Sequence, residues 1–269
     1  MISSLLALTL SVALPQTGEG KLEITDLRFT YGYLGTERPK NFLPGEKVFL
    51  AYNVKNMKLD KNGRANYLLT LKVLDSEGNI LVAKKPVPKQ YINYLGGNTF
   101  PAVGSGDVPL DMPPGTYTIQ LHLEDLLSKR TTSTSIKAKV LPKTFGIIHI
   151  EPSGDPEGQV PSSPICVIGE SLYVHYALVG FSRDKKSKEP NLSVALRIFD
   201  KNGKETMPVP LAGKADAETN IPQTFQIIPF SFAFTLNRTG EYTIELSAKD
   251  ELTGKTAKER FPVKVISLQ

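Results

Sequence analysis

The stretch Gly115-Thr116-Tyr117-Thr118-Ile119-Gln120-Leu121 returns further along the chain as Gly240-Glu241-Tyr242-Thr243-Ile244-Glu245-Leu246. In both, apolar and polar residues alternate: Tyr117, Ile119 and Leu121 against Thr118 and Gln120, then Tyr242, Ile244 and Leu246 against Thr243 and Glu245. Alternation sends successive side chains to opposite faces of an extended chain, so each stretch reads as a strand with one buried face. The match extends in both directions. Pro44-Gly45-Glu46-Lys47-Val48-Phe49 aligns with Ile168-Gly169-Glu170-Ser171-Leu172-Tyr173, and Leu71-Lys72-Val73-Leu74-Asp75 with Leu196-Arg197-Ile198-Phe199-Asp200. Asp125 aligns with Asp250, and Lys139-Val140 with Lys264-Val265. The first block is offset by 124 residues and the others by 125. Blocks in one order at nearly one offset mark two copies of a single unit, each of about 120 residues, an ordinary domain size.

Period two holds inside each copy. Val48, Leu50, Tyr52 and Val54 alternate with Phe49, Ala51, Asn53 and Lys55, and Leu192, Val194, Leu196 and Ile198 keep the same phase in the second copy. Asp75-Ser76-Glu77-Gly78-Asn79 and Asp200-Lys201-Asn202-Gly203-Lys204 have hairpin-turn composition, because Asn and Gly tolerate positive φ. No run of helical length carries an apolar stripe. Several short strands with turn signals between them over roughly 100–125 residues form the pattern of an immunoglobulin-like sandwich. The sequence therefore predicts an all-β protein: two tandem immunoglobulin-like antiparallel β-sandwich domains after an N-terminal signal segment. Pro142, which lacks an amide donor and biases Leu141 towards extended geometry, marks the boundary. The expected units are a signal peptide at 1–18, a first sandwich at 19–141 and a second at 143–269. Residues 84–107 and 208–223 read as the least regular stretches, and loops on a rigid sandwich are where function concentrates.

Each copy closes as Gly-x-Tyr-Thr-Ile-x-Leu, then Asp125 or Asp250, a short turn, and a strand ending at Val140 or Val265. This resembles the final hairpin of bacterial exported immunoglobulin-like or fibronectin-III-like modules. The resemblance covers both copies and implies their fold and an exported context. It carries no functional residues across. The cysteine pair and core tryptophan of antibody domains are absent, since the chain has one cysteine, Cys166, and no tryptophan.

Residues 2–14 are free of charge and mainly apolar, too short to span a bilayer at about 20 residues but suited to the core of a secretory leader. Cleavage is expected after Ala13 or near Gly18, and no other stretch is apolar enough to cross a membrane, so the expected mature form is exported and not membrane-spanning. Residues 21–141 hold 17 Lys and Arg against 11 Asp and Glu, whereas 143–269 hold 15 of each. A modest basic excess on the first copy hints at an anionic partner. The cations are scattered among acids, which reads as a solvated surface, and no nucleic acid is expected.

The sequence holds few motifs that carry chemistry. Gly104-Ser105-Gly106-Asp107 is not a nucleophile elbow, and Gly254-Lys255-Thr256 lacks the earlier glycine and the helix of a phosphate loop. The three histidines, His122, His149 and His175, show no ligand spacing. Asp60-x-Asn62-Gly63 and Asp200-x-Asn202-Gly203 read as turns, being incomplete calcium loops. Acids recurring near strand ends leave a calcium ion at the junction of the copies open. Glu124-Asp125 reads as a cap of the last hairpin, and Cys166 as a small buried hydrophobe. No catalytic residue, cofactor or metal is expected. The candidate ligand-binding residues are Tyr31, Tyr33, Tyr91 and Tyr94, whose rings could stack on sugars. The function these features suggest is an exported, non-catalytic binding, adhesion or spacer protein with an envelope or extracellular protein or polysaccharide as partner. The alternative is carbohydrate or anionic-polymer binding through the basic first copy.

Overall fold

Alternating strands with one apolar face need a second layer to bury that face against. In the structure, a computed structural model that describes residues 20–268, they find it in opposed sheets. The first nine strands are β1 (Glu23–Thr30), β2 (Asn41–Phe42), β3 (Lys47–Lys55), β4 (Arg64–Leu74), β5 (Ile80–Ala83), β6 (Val87–Ile92), β7 (Thr99–Asp107), β8 (Gly115–Asp125) and β9 (Thr131–Val140). One sheet has the order β1-β3-β7. The other runs β2-β9-β8-β4-β5, with β6 also on the outer edge of β4. The next eight are β10 (Gly146–Ser153), β11 (Ile165–Val167), β12 (Ser171–Val179), β13 (Leu192–Asp200), β14 (Leu211–Ala215), β15 (Ile227–Thr235), β16 (Gly240–Asp250) and β17 (Thr256–Ile266). They form sheets β10-β12-β15 and β11-β17-β16-β13-β14. The protein is all-β, and the only helical turn among the described residues is a 3₁₀ turn at Ala217–Thr219. All pairing is antiparallel except two short parallel contacts, β2 on β9 and β11 on β17.

The strand pairings stay within 23–140 or within 146–266; these stretches are called the N-terminal and C-terminal halves below. Each half has its own core between its two sheets. Phe29, Leu50, Tyr52 and Phe100 meet Phe42, Tyr67, Leu121 and Ile136 in the first, and Leu172, Val174 and Ile228 meet Leu192, Leu196, Ile244 and Phe261 in the second. A tyrosine corner recurs in both: the Tyr117 hydroxyl donates to the Pro113 carbonyl at 2.8 Å, and the Tyr242 hydroxyl to the Arg238 carbonyl at 3.1 Å. The turn capping repeats too. Asp75 accepts from the amides of Glu77 and Asn79, and Asp200 from those of Asn202 and Lys204.

Two expectations are revised. Residues 84–107 are not irregular: they supply β6 on β4 and β7 on β3. Pro86, Pro88, Pro101 and two adjacent glycines hide the alternation, and the ladder is supplied by neighbours distant in sequence. Residues 208–223 likewise supply β14 and the 3₁₀ turn. Burial at Phe49–Tyr52 and Tyr176–Val179 is continuous rather than alternating. The outer faces of these central strands are covered as well: Phe49 by Tyr33, and Ala177 and Val179 by Leu43 and Leu110 of the other half. The expected leader, 1–18, lies outside the described residues.

Candidate functional site

The four tyrosines do not form one face. Tyr31 is only 2% exposed and belongs to the core of the C-terminal half, its ring 5.7 Å from that of Phe261. Burial, with the Glu259 carboxylate beside it, pushes its phenol up to about 12. It is therefore removed from any ligand-stacking surface. Tyr33 stands edge-on to Phe49 at 4.9 Å, with its hydroxyl near Ser105. Tyr91 is edge-on to Phe100 at 4.7 Å, near the other end of β7. Tyr94 is 84% exposed in the turn that follows β6, next to Leu95 at 99%. The structure brings Tyr91 and Tyr94 to one end of β4 and leaves Tyr31 and Tyr33 at the junction between the halves.

That junction is also built from pairings the sequence does not reveal. The loop after β1 carries Arg38, which is buried, pairs with buried Glu46 at 2.5 Å and lies over the rings of Tyr31 and Phe42. Burial pushes the Glu46 carboxyl up, against the pull of Arg38 and of the Leu43 amide. His149, with φ of 56° at a register shift in β10, places Nε2 2.6 Å from the Gly45 carbonyl. Lys47 reaches Glu151 at 3.3 Å. The halves are thus held by an apolar contact and several polar ones. Among the described residues, no three His, Cys, Asp or Glu side chains gather as a metal-holding group, at the junction or elsewhere.

Two serine–histidine contacts occur. Ser133 Oγ and His122 Nδ1 are 2.8 Å apart on an exposed sheet face, with no carboxylate on the imidazole. Ser153 Oγ lies 3.2 Å from His175 Nε2 and 3.3 Å from an Asp155 carboxylate oxygen. Here the hydroxyl sits between acid and imidazole, whereas nucleophile activation needs the imidazole between the other two. Ser153 is also buried and donates to the Asp155 carbonyl, while the Asp155 carboxylate caps the turn through the Gln159 and Val160 amides. Those amide bonds, that of Val160 first, hold the Asp155 carboxyl below the usual range. The trio is wired as a turn lock. Cys166 is buried, donates to the Ser163 carbonyl at 3.2 Å, and has its thiol pushed up by burial.

The outer edge of β4 carries several exposed large apolar side chains. Ile80, Leu81 and Val82 on β5 and Val87 on β6 are exposed in succession, and Tyr94 and Leu95 continue the ledge at its far end. Pairing places β5 against Lys72–Leu74 and β6 against Arg64–Leu69, so the ledge follows β4 for about 30 Å at 3.3 Å per residue. Lys84, Lys85 and Lys89 lie within it and are exposed. The backbone edge itself is blunted. β5 is four residues long with a register shift, and Pro86 and Pro88 remove amide donors. Such features oppose addition of another strand, so the ledge offers side chains rather than a free ladder.

No protein-family model matches the chain, and no curated protein matches it. Solved structures align only loosely. A red sea bream transglutaminase aligns with 92% of this chain and 31% of its own, at 12% identity and a TM-score of 0.29. A DUF4785 family protein from Legionella pneumophila aligns with 90% of this chain and 56% of its own, at 13% identity and a TM-score of 0.27. The alkylpurine DNA glycosylase AlkC from Pseudomonas fluorescens aligns with 45% of this chain and 30% of its own, at 12% identity and a TM-score of 0.29. The chain therefore spans less than two thirds of each of these proteins.

Proposed function

We propose that this chain is an exported, non-catalytic interaction protein, two tandem immunoglobulin-like units in which the N-terminal half presents its β5–β6 ledge to an envelope or extracellular partner. The observation that carries this reading is the ledge itself. Large apolar side chains stand exposed on both sides of one sheet edge beside lysines, and apolar side chains gathered at a surface mark interaction sites. The charge-free run at residues 2–14 supports export. The bracing of the junction supports a spacer role, because it would hold the ledge at a set position relative to the C-terminal half. The turn-lock wiring of Ser153, Asp155 and His175 supports a non-catalytic reading.

A second reading is favoured by Lys84, Lys85 and Lys89 and by the basic excess of residues 21–141: the partner is an anionic envelope polymer. Binding of the purified chain to envelope proteins and to peptidoglycan-associated anionic polymer, at low and at high salt, tests both. Leu81→Ser with Leu95→Ser is expected to abolish capture of a protein partner. Lys84→Glu with Lys85→Glu is expected to abolish polymer binding, which should itself fade with salt. Capture that survives both pairs of substitutions refutes the ledge as the site.

A further inference from the structure

The two halves differ at one corner. Val108 and Leu236 are equivalent, because each exchanges backbone hydrogen bonds with the Gly-Glu pair that opens the following strand, Gly45-Glu46 or Gly169-Glu170. From there the N-terminal half takes six residues, 109–114, to reach Gly115, and its Leu110 packs into the junction. The C-terminal half takes three, 237–239, to reach Gly240. Below this shorter connection its two sheets part around a cleft of about 460 Å³. Leu236, Ile244 and Val265, all nearly buried, line it at the core, together with the partly buried Phe234 and Met207. That volume lies within the roughly 300–1,000 Å³ of small-molecule sites.

The mouth is polar and carries one cation. Arg238 is exposed, its Nε is 3.3 Å from the Tyr242 hydroxyl, and it forms no ion pair among the described residues. Asp200, the acid acting on it from a distance, is occupied with the amides of its own turn. The terminal nitrogens of the guanidinium are thus left to present a fork, the geometry that grips a carboxylate through two parallel hydrogen bonds. A cleft with an apolar base, a polar rim of Thr206, Thr235 and Asn237 and an uncommitted guanidinium at its entrance suits a molecule with an apolar part and an anionic end.

We propose that the cleft between the sheets of the C-terminal half binds a small amphipathic carboxylate, its apolar chain over Leu236, Ile244 and Val265 and its carboxylate on Arg238. This site is independent of the ledge on the other half. The test is titration of the full chain with decanoate below its micelle concentration, followed by calorimetry and by methyl NMR. The four methionines make the methyl spectrum easy to assign. Saturable one-to-one binding is expected, with the Met207 methyl shifting and the Met57 and Met112 methyls still. Arg238→Ala is expected to weaken binding about tenfold or more, and Arg238→Lys to recover part of it, since a lysine keeps the charge but loses the fork. Decyltrimethylammonium, of similar chain length and opposite charge, should not compete. Absence of saturable binding, an unmoved Met207 methyl, equal affinity in Arg238→Ala, or equal binding of the cationic probe would each overturn the assignment. Arg238 is on the surface, so an unchanged melting temperature in its variants separates loss of binding from loss of fold.

Discussion

Asp125→Ala should detach the last hairpin of the N-terminal half from the loop that crosses beneath it. Asp125 is fully buried. Its carboxylate accepts from the Lys58 amide at 2.8 Å, the Leu127 amide at 3.0 Å, the Ser128 amide at 3.2 Å and the Ser128 hydroxyl at 2.6 Å. A hydrogen bond to a charged group contributes roughly 1.5–3 kcal/mol, and a buried donor left without an acceptor costs about 1–3 kcal/mol. The Leu127 and Ser128 donors sit in a surface turn and can turn to water, so the full sum is not lost. A net cost of about 2–4 kcal/mol follows for Asp125→Ala, and about half that for Asp125→Asn, which keeps one acceptor oxygen. Urea unfolding measures the total, and hydrogen exchange at the Lys58, Leu127 and Ser128 amides localises it. Each 1.4 kcal/mol taken from the local opening free energy accelerates exchange about tenfold where reclosing is faster than chemical exchange. The equivalent Asp250 accepts from fewer groups, the Ser182 and Leu252 amides, both at 3.0 Å, so Asp250→Ala should cost less. A variant whose Lys58 amide exchanges within twofold of the wild type, with an unchanged unfolding midpoint, would refute the bridging role.

The same carboxylate sets an acid limit. Desolvation pushes the Asp125 carboxyl up, but the bonds from Lys58, Ser128 and Leu127 together outweigh it and hold the group below its ordinary value. The unfolded chain therefore takes up the proton first, so the stabilisation is present above about pH 4, the ordinary carboxylate range, and is lost as pH falls towards the folded value. Acid titration of stability should show a shallower decline in Asp125→Asn. At the junction, Arg38→Met leaves Glu46 buried without its cation, a loss of roughly 3–5 kcal/mol. Arg38→Met combined with Glu46→Leu should recover most of it in thermal melts, and a double variant no better than the single one would contradict the pairing.

Much of the fold was legible because a sandwich strand advertises itself through period two. The phases read for Leu192, Val194 and Leu196 and for Ile244 and Leu246 are those the core uses. The capping role of Asp125 was legible as well, from Asp at the start of a turn. Its further bond to Lys58, 67 residues away, was not. The tyrosine corner could have been found from Tyr117 and Tyr242 standing two residues after a strand-opening glycine in both copies. The candidate tyrosines rest on residue type alone, and residue type says nothing of direction. Tyr31 was drawn into the neighbouring half, where its ring meets Phe261.

The sequence by itself determined the duplicated strand pattern, the all-β class and the turns, because these depend on side-chain period and on which residues accept positive φ within a few positions. Only the tertiary structure decided what covers the outer faces of β3 and β12, that Arg38 and Glu46 are buried together, that the ledge along β4 stays bare, and that a shortened connection opens a cleft beside Arg238. Each of these depends on which distant segment arrives at a given face, and burial, pairing and access are properties of that arrival.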